Sequence, residues 1–249
     1  MSESLFTLKD KTILITGASS GIGRTMAVLC AQQGARVIIS GRNMAMLNET
    51  FSMLSGDYHQ IVSADITVEA DLKSLVNNIP KLDGFVSNAG IAQPLLIQFA
   101  EKEDVEKVLN VNGIAAIQLT RLLIQEKKFN KNASIVFTSS MNGNRCAYIG
   151  STIYAASKAM LTGFSKALAL ELAPKGIRVN TIEPGMIETD LLKDGAISAD
   201  ELDADKLKYP LKRYGKPEEV ASVAVFLLSD ATRWMTGSHI LIDGGYTLQ

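Results

Sequence analysis

The chain has 249 residues, 47% of them hydrophobic and 20% charged, with a formal net charge of −1. That is enough sequence for one large domain with a substantial core, in an ordinary soluble composition. A pI near 6.2 offers no basic surface for nucleic acid, and no apolar run reaches the roughly 20 residues that span a bilayer.

The first residues, MSESLFTLKDK, lack the basic start and long apolar run of a secretory leader. Cys30 and Cys146 lie far apart and form no ligand cluster, so no metal is expected, and reduced thiols in a cytoplasmic protein are the default. KTILI (11–15) then reads as a buried strand, TGASSG as a tight turn, and IGRTMAVLCAQQ as a helix closed by Gly34.

A phosphate needs backbone N–H groups and room for approach. Gly17, Gly21 and Gly23 supply the room, flanked by Ser19, Ser20 and Ile22, and a helix beginning near Gly21 aims its unpaired N–H groups and positive end at a pyrophosphate. The spacing is G-x-x-x-G-x-G, distinct from the commonest dinucleotide fingerprint.

The alternation continues with RVIIS (36–40), a helix over about 43–54, QIVSA (60–64), a helix over about 69–78 and DGFVS (83–87). A long helix is expected over about 101–127, then ASIVFTS (133–139), a helix over 152–172 closed by Pro174 and Gly176, and IRVNTI (177–182). An irregular segment over 187–209, a helix opened by Pro217 and HILID (239–243) complete the chain. Seven apolar strands separated by helices predict a single α/β domain over 1–249. Its core is a doubly wound, Rossmann-type parallel sheet covered on both faces. Small, polar and glycine residues end six consecutive strands (TGASSG, SGRN, ADI, SNAG, TSS, EPG), which places a site along that edge.

TGASSGIG (16–23), Asp65 in ADI, NAG (88–90), Asn112 in LNVNG, Ser140, YAASK (154–158), PGMIET (184–189) and IDGG (242–245) occur together in order. On these motifs the chain resembles the short-chain dehydrogenase/reductase family over nearly its whole length. The tail from YPLKRYGKPEEVA to TGSHILIDGG and the PGMIETD segment are most similar to 3-oxoacyl-acyl-carrier-protein reductases, a tail shared with members acting on sugars, steroids and other alcohols.

The resemblance implies interconversion of a ketone and a secondary alcohol. Tyr154 would be general acid in reduction and base in oxidation, Lys158 would bond the nicotinamide ribose, Ser140 the substrate oxygen, and Asn112 a water extending the proton path. It also implies that Asp65 and Ile66 flank the adenine, that Ala89 and Gly90 line the adenosine ribose, and that Pro184, Gly185, Ile187 and Thr189 serve the nicotinamide end. Asn88 either lines that ribose or pins neighbouring strands. Positions i and i+4 share a helix face, so Lys158 lies one turn from Tyr154; a nearby ammonium is expected to lower the phenol from its ordinary pKa of about 10. Ser139 is the rival serine, but neighbours on a strand point to opposite faces, and the family's SSxxG pattern favours Ser140.

Cofactor choice turns on the end of the second strand. An acid there would accept the ribose hydroxyls and repel a 2′-phosphate; Ser40, Gly41 and Arg42 stand there instead. A guanidinium pairs bidentately with phosphate, which predicts NADP(H) over NAD(H). The alternatives are an NAD-dependent sugar, steroid or other alcohol dehydrogenase, and a cofactor-binding regulator without turnover. The 188–209 segment reads as a lid over the site. Arg145, between Ser140 and Tyr154, either meets an anionic group or faces water, and Cys146 has no neighbouring base to make it a nucleophile. The partners expected are a small carbonyl or alcohol substrate and, by resemblance, further copies of the chain in a dimer or tetramer.

Overall fold

All seven apolar runs form strands, and all of them pair in parallel. In the computed structural model, which describes residues 4–189 and 199–248, they are β1 (Thr12–Thr16), β2 (Arg36–Gly41), β3 (Gln60–Ser63), β4 (Leu82–Ser87), β5 (Phe129–Thr138), β6 (Arg178–Pro184) and β7 (His239–Ile242). Their order is β3-β2-β1-β4-β5-β6-β7, with registers such as Ile13↔Val37 and Phe85↔Ile135. The order reverses direction between β1 and β4, so the crevice beyond the carboxyl ends of those two strands is where such a sheet takes a ligand.

Parallel pairing needs crossovers, and helices supply them. These are α1 (Gly21–Gln32), α2 (Met44–Ser52), α3 (Glu69–Asn77), α4 (Lys102–Leu109), α5 (Ala115–Gln125), α6 (Thr152–Leu172), α7 (Ala199–Lys206) and α8 (Pro217–Leu228). Strand alternation divides the core into two layers. Leu14, Ile38, Phe85, Ile135 and Val179 pack under α3, α5 and α6 through Leu75, Leu123 and Leu168. Ile13, Ile39, Val86, Val136 and Ile182 pack under α1 and α8 through Met26, Cys30, Val220 and Ala224. Each large apolar side chain buried in this way stabilises the fold by roughly 1.5–3 kcal/mol, and both layers meet at the sheet that carries the site.

Two expected elements differ. The single helix over 101–127 is broken: between α4 and α5, residues Asn110–Ile114 form a π-turn in which Ala115 N reaches back to Asn110 O. Asn112, buried inside that turn, is drawn toward Ile91 and α6, and the widened backbone accommodates it. The segment expected to be irregular contains α7, tied down where Tyr214 Oη donates to Asp205 at 2.8 Å. The remainder of the expected lid, 190–198, lies outside the described residues. Among the described residues no helix is long and apolar enough to cross a membrane, and no cluster of His, Cys, Asp and Glu is arranged to hold a metal.

Candidate active site

The turn after β1 is built for close approach. Gly17 has a φ of +65°, and a β-carbon there would stand 2.7 Å from Ala89 Cα; one on Gly23 would overlap the Gly17 carbonyl. Only hydrogen fits at either place. α1 starts at Gly21 from an extended Ser20 that makes no side-chain cap, and it has no acid in its first turn, so its leading N–H groups and positive end face the crevice. Ser19 abuts Gly41 at the end of β2.

Two residues that the sequence did not single out brace this turn. Arg24 Nη2 donates to Ser19 O at 2.6 Å and to Glu49 at 3.0 Å, while Thr50 Oγ1 donates to Ala18 O at 2.9 Å in a buried site. The only cue was a cation in the first turn of a helix, where the dipole disfavours it. The cradle fits a pyrophosphate: bare backbone, a helix N-terminus, and a turn locked from below.

At the adenosine end, Arg42 follows directly on β2 with its side chain 70% exposed and Nη1 3.7 Å from Asp65. Asp65 accepts from Thr67 N and Oγ1 at 2.9 and 2.6 Å, and those bonds, with help from Arg42, hold its carboxyl below the usual range. Ile66 is packed in the core with Leu72. The Asn88 amide donates to Gly17 O at 3.4 Å and its backbone N–H to Thr16 Oγ1 at 3.2 Å, so its side chain acts as the pin between β1 and β4. Ala89 N also donates to Thr16 Oγ1, at 3.4 Å. Gly90 lies against both Asn112 Oδ1 and Lys158 Nζ, each within 3.3 Å of where its β-carbon would be.

Asn112, Ser140, Tyr154 and Lys158 converge beyond β4 and β5. Both amide donors of Asn112 are committed, to Ile91 O at 2.9 Å and Ser157 Oγ at 3.0 Å, and its Oδ1 accepts from Ile91 N at 2.7 Å. The two adjacent serines separate as strand alternation requires. Ser139 Oγ donates to Lys158 O at 2.8 Å inside α6 packing, whereas Ser140 Oγ accepts from Asn142 N at 3.1 Å and stands near enough to Tyr154 to favour its phenolate.

Lys158 Nζ donates to Thr138 O at 2.9 Å and lies 5.8 Å from the centre of the Tyr154 ring. Burial lowers its pKa to about 8. Burial also dominates at Tyr154, pushing the phenol up to about 12 against the opposing influence of Ser140. This reverses the direction expected from the motif: exclusion of water is the largest influence on the phenol, and Lys158 is not among the groups that shift it.

The segment after β6 closes the groove. Gly185 N donates to Ile242 O at 2.8 Å, Ile187 pairs with Gly215, and Glu188 N donates to Gly215 O at 2.8 Å. Pro184 O accepts from Met141 N at 3.0 Å. Thr189 crosses over the glycine turn, 3.4 Å from where a β-carbon on Gly21 would sit. Of the two roles left open for Arg145, the structure shows it meeting an anionic group, the buried Glu183 carboxylate, to which its Nε donates at 2.8 Å, with the side chain still half-exposed. Burial and Asp243 raise the Cys146 thiol, which disfavours its thiolate.

A family model described as enoyl-(acyl carrier protein) reductase matches residues 17–247. The chain is 39% identical to the 3-oxoacyl-[acyl-carrier-protein] reductase FabG of Thermotoga maritima, over 97% of this chain and 99% of the relative. It is 34% identical to carbonyl reductase family member 4 of Xenopus laevis over 96% and 99%. Among solved structures, a Pseudomonas aeruginosa RhlG/NADP active-site complex superposes with a TM-score of 0.91 at 31% identity, covering 99% of this chain and 100% of that one. The chain therefore belongs to the short-chain dehydrogenase/reductase family of NAD(P)-dependent oxidoreductases.

Proposed function

We propose that the protein is an NADP(H)-dependent reductase of 3-oxoacyl thioesters or closely similar ketones, with Tyr154 as the proton donor. The observation that carries the proposal is the gathering of Ser140, Tyr154 and Lys158 at the carboxyl end of β5. The substrate class draws on the reductase names of the relatives and on the apolar surface beside the site. Leu95 N donates to Gly150 O at 2.9 Å, bringing the exposed Leu96, Ile97, Tyr148 and Ile149 onto two adjoining loops suited to an alkyl chain. The preference for NADP(H) draws on exposed Arg42 and on the NADP named with the RhlG structure.

The bound nicotinamide would supply hydride to the carbonyl carbon. The chain's own residues manage the oxygen. Ser140 directs its O–H toward the position where negative charge develops. Tyr154, kept protonated near neutral pH by burial, gives its proton to that oxygen. Lys158, held on Thr138 O, places a positive charge beside the phenolate that remains, and Asn112, in the π-turn, would hold a water that extends the proton path from Lys158. Gly17, Ser19, Ser20, Gly21, Ile22 and Gly23 would hold the pyrophosphate, Asp65, Ile66, Ala89 and Gly90 the adenosine, and Pro184, Gly185, Ile187 and Thr189 the nicotinamide. Assembly into a homo-oligomer through α5 and α6 is supported by exposed Ile114 and Leu170 and by Gly163, which faces open space.

A screen of NADPH oxidation over 3-oxoacyl thioesters, keto sugars, steroids and small diketones tests the proposal. Turnover concentrated on the thioesters supports it; turnover of sugars or steroids alone, or of NADH alone, contradicts it.

A further inference from the structure

Glu183, at the end of β6, is a carboxylate with no solvent exposure, and nothing in the proton path described above uses it. Its Oε2 accepts from Arg145 Nε at 2.8 Å. Its Oε1 has no hydrogen-bond partner and lies 3.7 Å from His239 Nδ1, which is itself engaged with Thr181 Oγ1 at 2.6 Å. Burying a carboxylate carries a large desolvation penalty that one ion pair does not reliably offset. A buried acid paired with a half-exposed arginine is therefore poorly explained as a stabilising device, so its effect is better sought in what the pair holds in place.

The pair holds the loop that follows Ser140. Within it, Arg145 N and Cys146 N both donate to Met141 O, at 2.8 and 3.2 Å, and Gly143 N donates to Cys146 O at 2.8 Å. This tight turn is fastened to β6 at two points: Met141 N on Pro184 O at 3.0 Å, and Arg145 on Glu183. The turn presents Asn142 N, which donates to Ser140 Oγ at 3.1 Å. A hydroxyl has one proton and two acceptor sites. Once an acceptor site is filled by a rigid N–H, the proton is turned away from the loop and toward the Tyr154 side of the site. The backbone donor also polarises that O–H.

We infer that Glu183 and Arg145 form a strut that positions Ser140, by holding the 141–146 turn so that Asn142 N–H fixes the direction of the serine proton. Both are positioning residues that act through Ser140. The inference rests on the proposed role of Ser140 toward the substrate oxygen.

The test uses the full chain with Arg145→Met, Arg145→Lys, Glu183→Leu and Ser140→Ala, alone and paired. Arg145→Met is expected to lower kcat roughly tenfold to a hundredfold, less than outright deletion of a transition-state donor, with NADPH affinity unchanged. Arg145→Lys restores an N–H donor to Glu183 and is expected to recover part of the loss. In a Ser140→Ala background Arg145→Met is expected to add nothing, because the strut acts only through that hydroxyl; a full additional loss would overturn the inference. Hydrogen exchange judges the strut independently of turnover. Amides of 141–146 are expected to exchange faster in Arg145→Met and Glu183→Leu while those of the glycine turn do not, and unchanged exchange at 141–146 would overturn it. Arg145 is half-exposed, so its variants remain informative if Glu183→Leu does not fold. A wild-type chain that reduces no carbonyl would defeat the proposed function, and the exchange result would still decide the strut.

Discussion

Lys158 stands over Tyr154, its ammonium 5.8 Å from the ring centre, yet its hydrogen bond goes to the Thr138 carbonyl at 2.9 Å. The amine is thus fixed to the sheet and presented to the phenol through space. Burial lowers Lys158 from 10.5 to about 8. Below about 8 it is charged in both folded and unfolded chains, and the burial penalty is present in full. Between about 8 and 10.5 the unfolded chain keeps a proton that the folded chain has shed, so stability rises with pH across that window. Lys158→Met removes the penalty and one hydrogen bond. It is expected to be inactive but more stable than the native chain at neutral pH, by roughly 1–2 kcal/mol, with the gap closing above pH 8. Denaturant unfolding at several pH values checks this, and a variant less stable at every pH would contradict it.

Arg42 should discriminate between cofactors without touching the chemistry. Its guanidinium is exposed and only loosely associated with Asp65. Arg42→Leu is expected to weaken NADPH roughly tenfold to a hundredfold, the range for a lost charge-assisted hydrogen bond, and to leave NADH nearly unchanged. Fluorescence titration with both dinucleotides measures the difference. Equal losses for the two would show that Arg42 does not read the 2′-phosphate.

Gly23→Ala places a methyl group into the Gly17 carbonyl and 2.6 Å from the Asn88 amide. Neither neighbour can retreat, since Asn88 pins β4 to β1. The substitution is expected to lower stability by roughly 1–3 kcal/mol and to weaken both dinucleotides alike, in contrast to the selective effect at Arg42. A thermal melt and the same titrations report it; native affinity in a stably folded variant would remove the glycine turn from the cofactor site.

The seven strands and their parallel, helix-covered sheet were legible because strands buried on both faces read as short apolar runs, with helix signals between them. The first residues of β5, Phe129–Asn132, were not, since FNKN carries no apolar pattern and pairs only at the sheet's lower rim through Leu82↔Phe129. ADELDADK likewise hid α7, which has no apolar face. The π-turn at Asn112 arises from tertiary pulls on one side chain, and Asn112-Gly113 was its only local trace. Lys158 lies one turn from Tyr154 on α6, as their spacing suggested. Residue spacing reports which groups are neighbours but not how much water is excluded, so the direction of the Tyr154 shift came out reversed. The Arg145–Glu183 pair joins positions 38 residues apart, beyond the reach of any local pattern.

Tyr154→Phe tests the central proposal most directly, in stopped-flow NADPH oxidation with a 3-oxoacyl thioester alongside NADPH binding to the same preparation. The expected result is a fall in turnover of at least about a hundredfold, within the range for removing a general acid, with affinity for NADPH preserved within about twofold. A Phe variant that reduces the thioester at the native rate would show that the proton comes from another group.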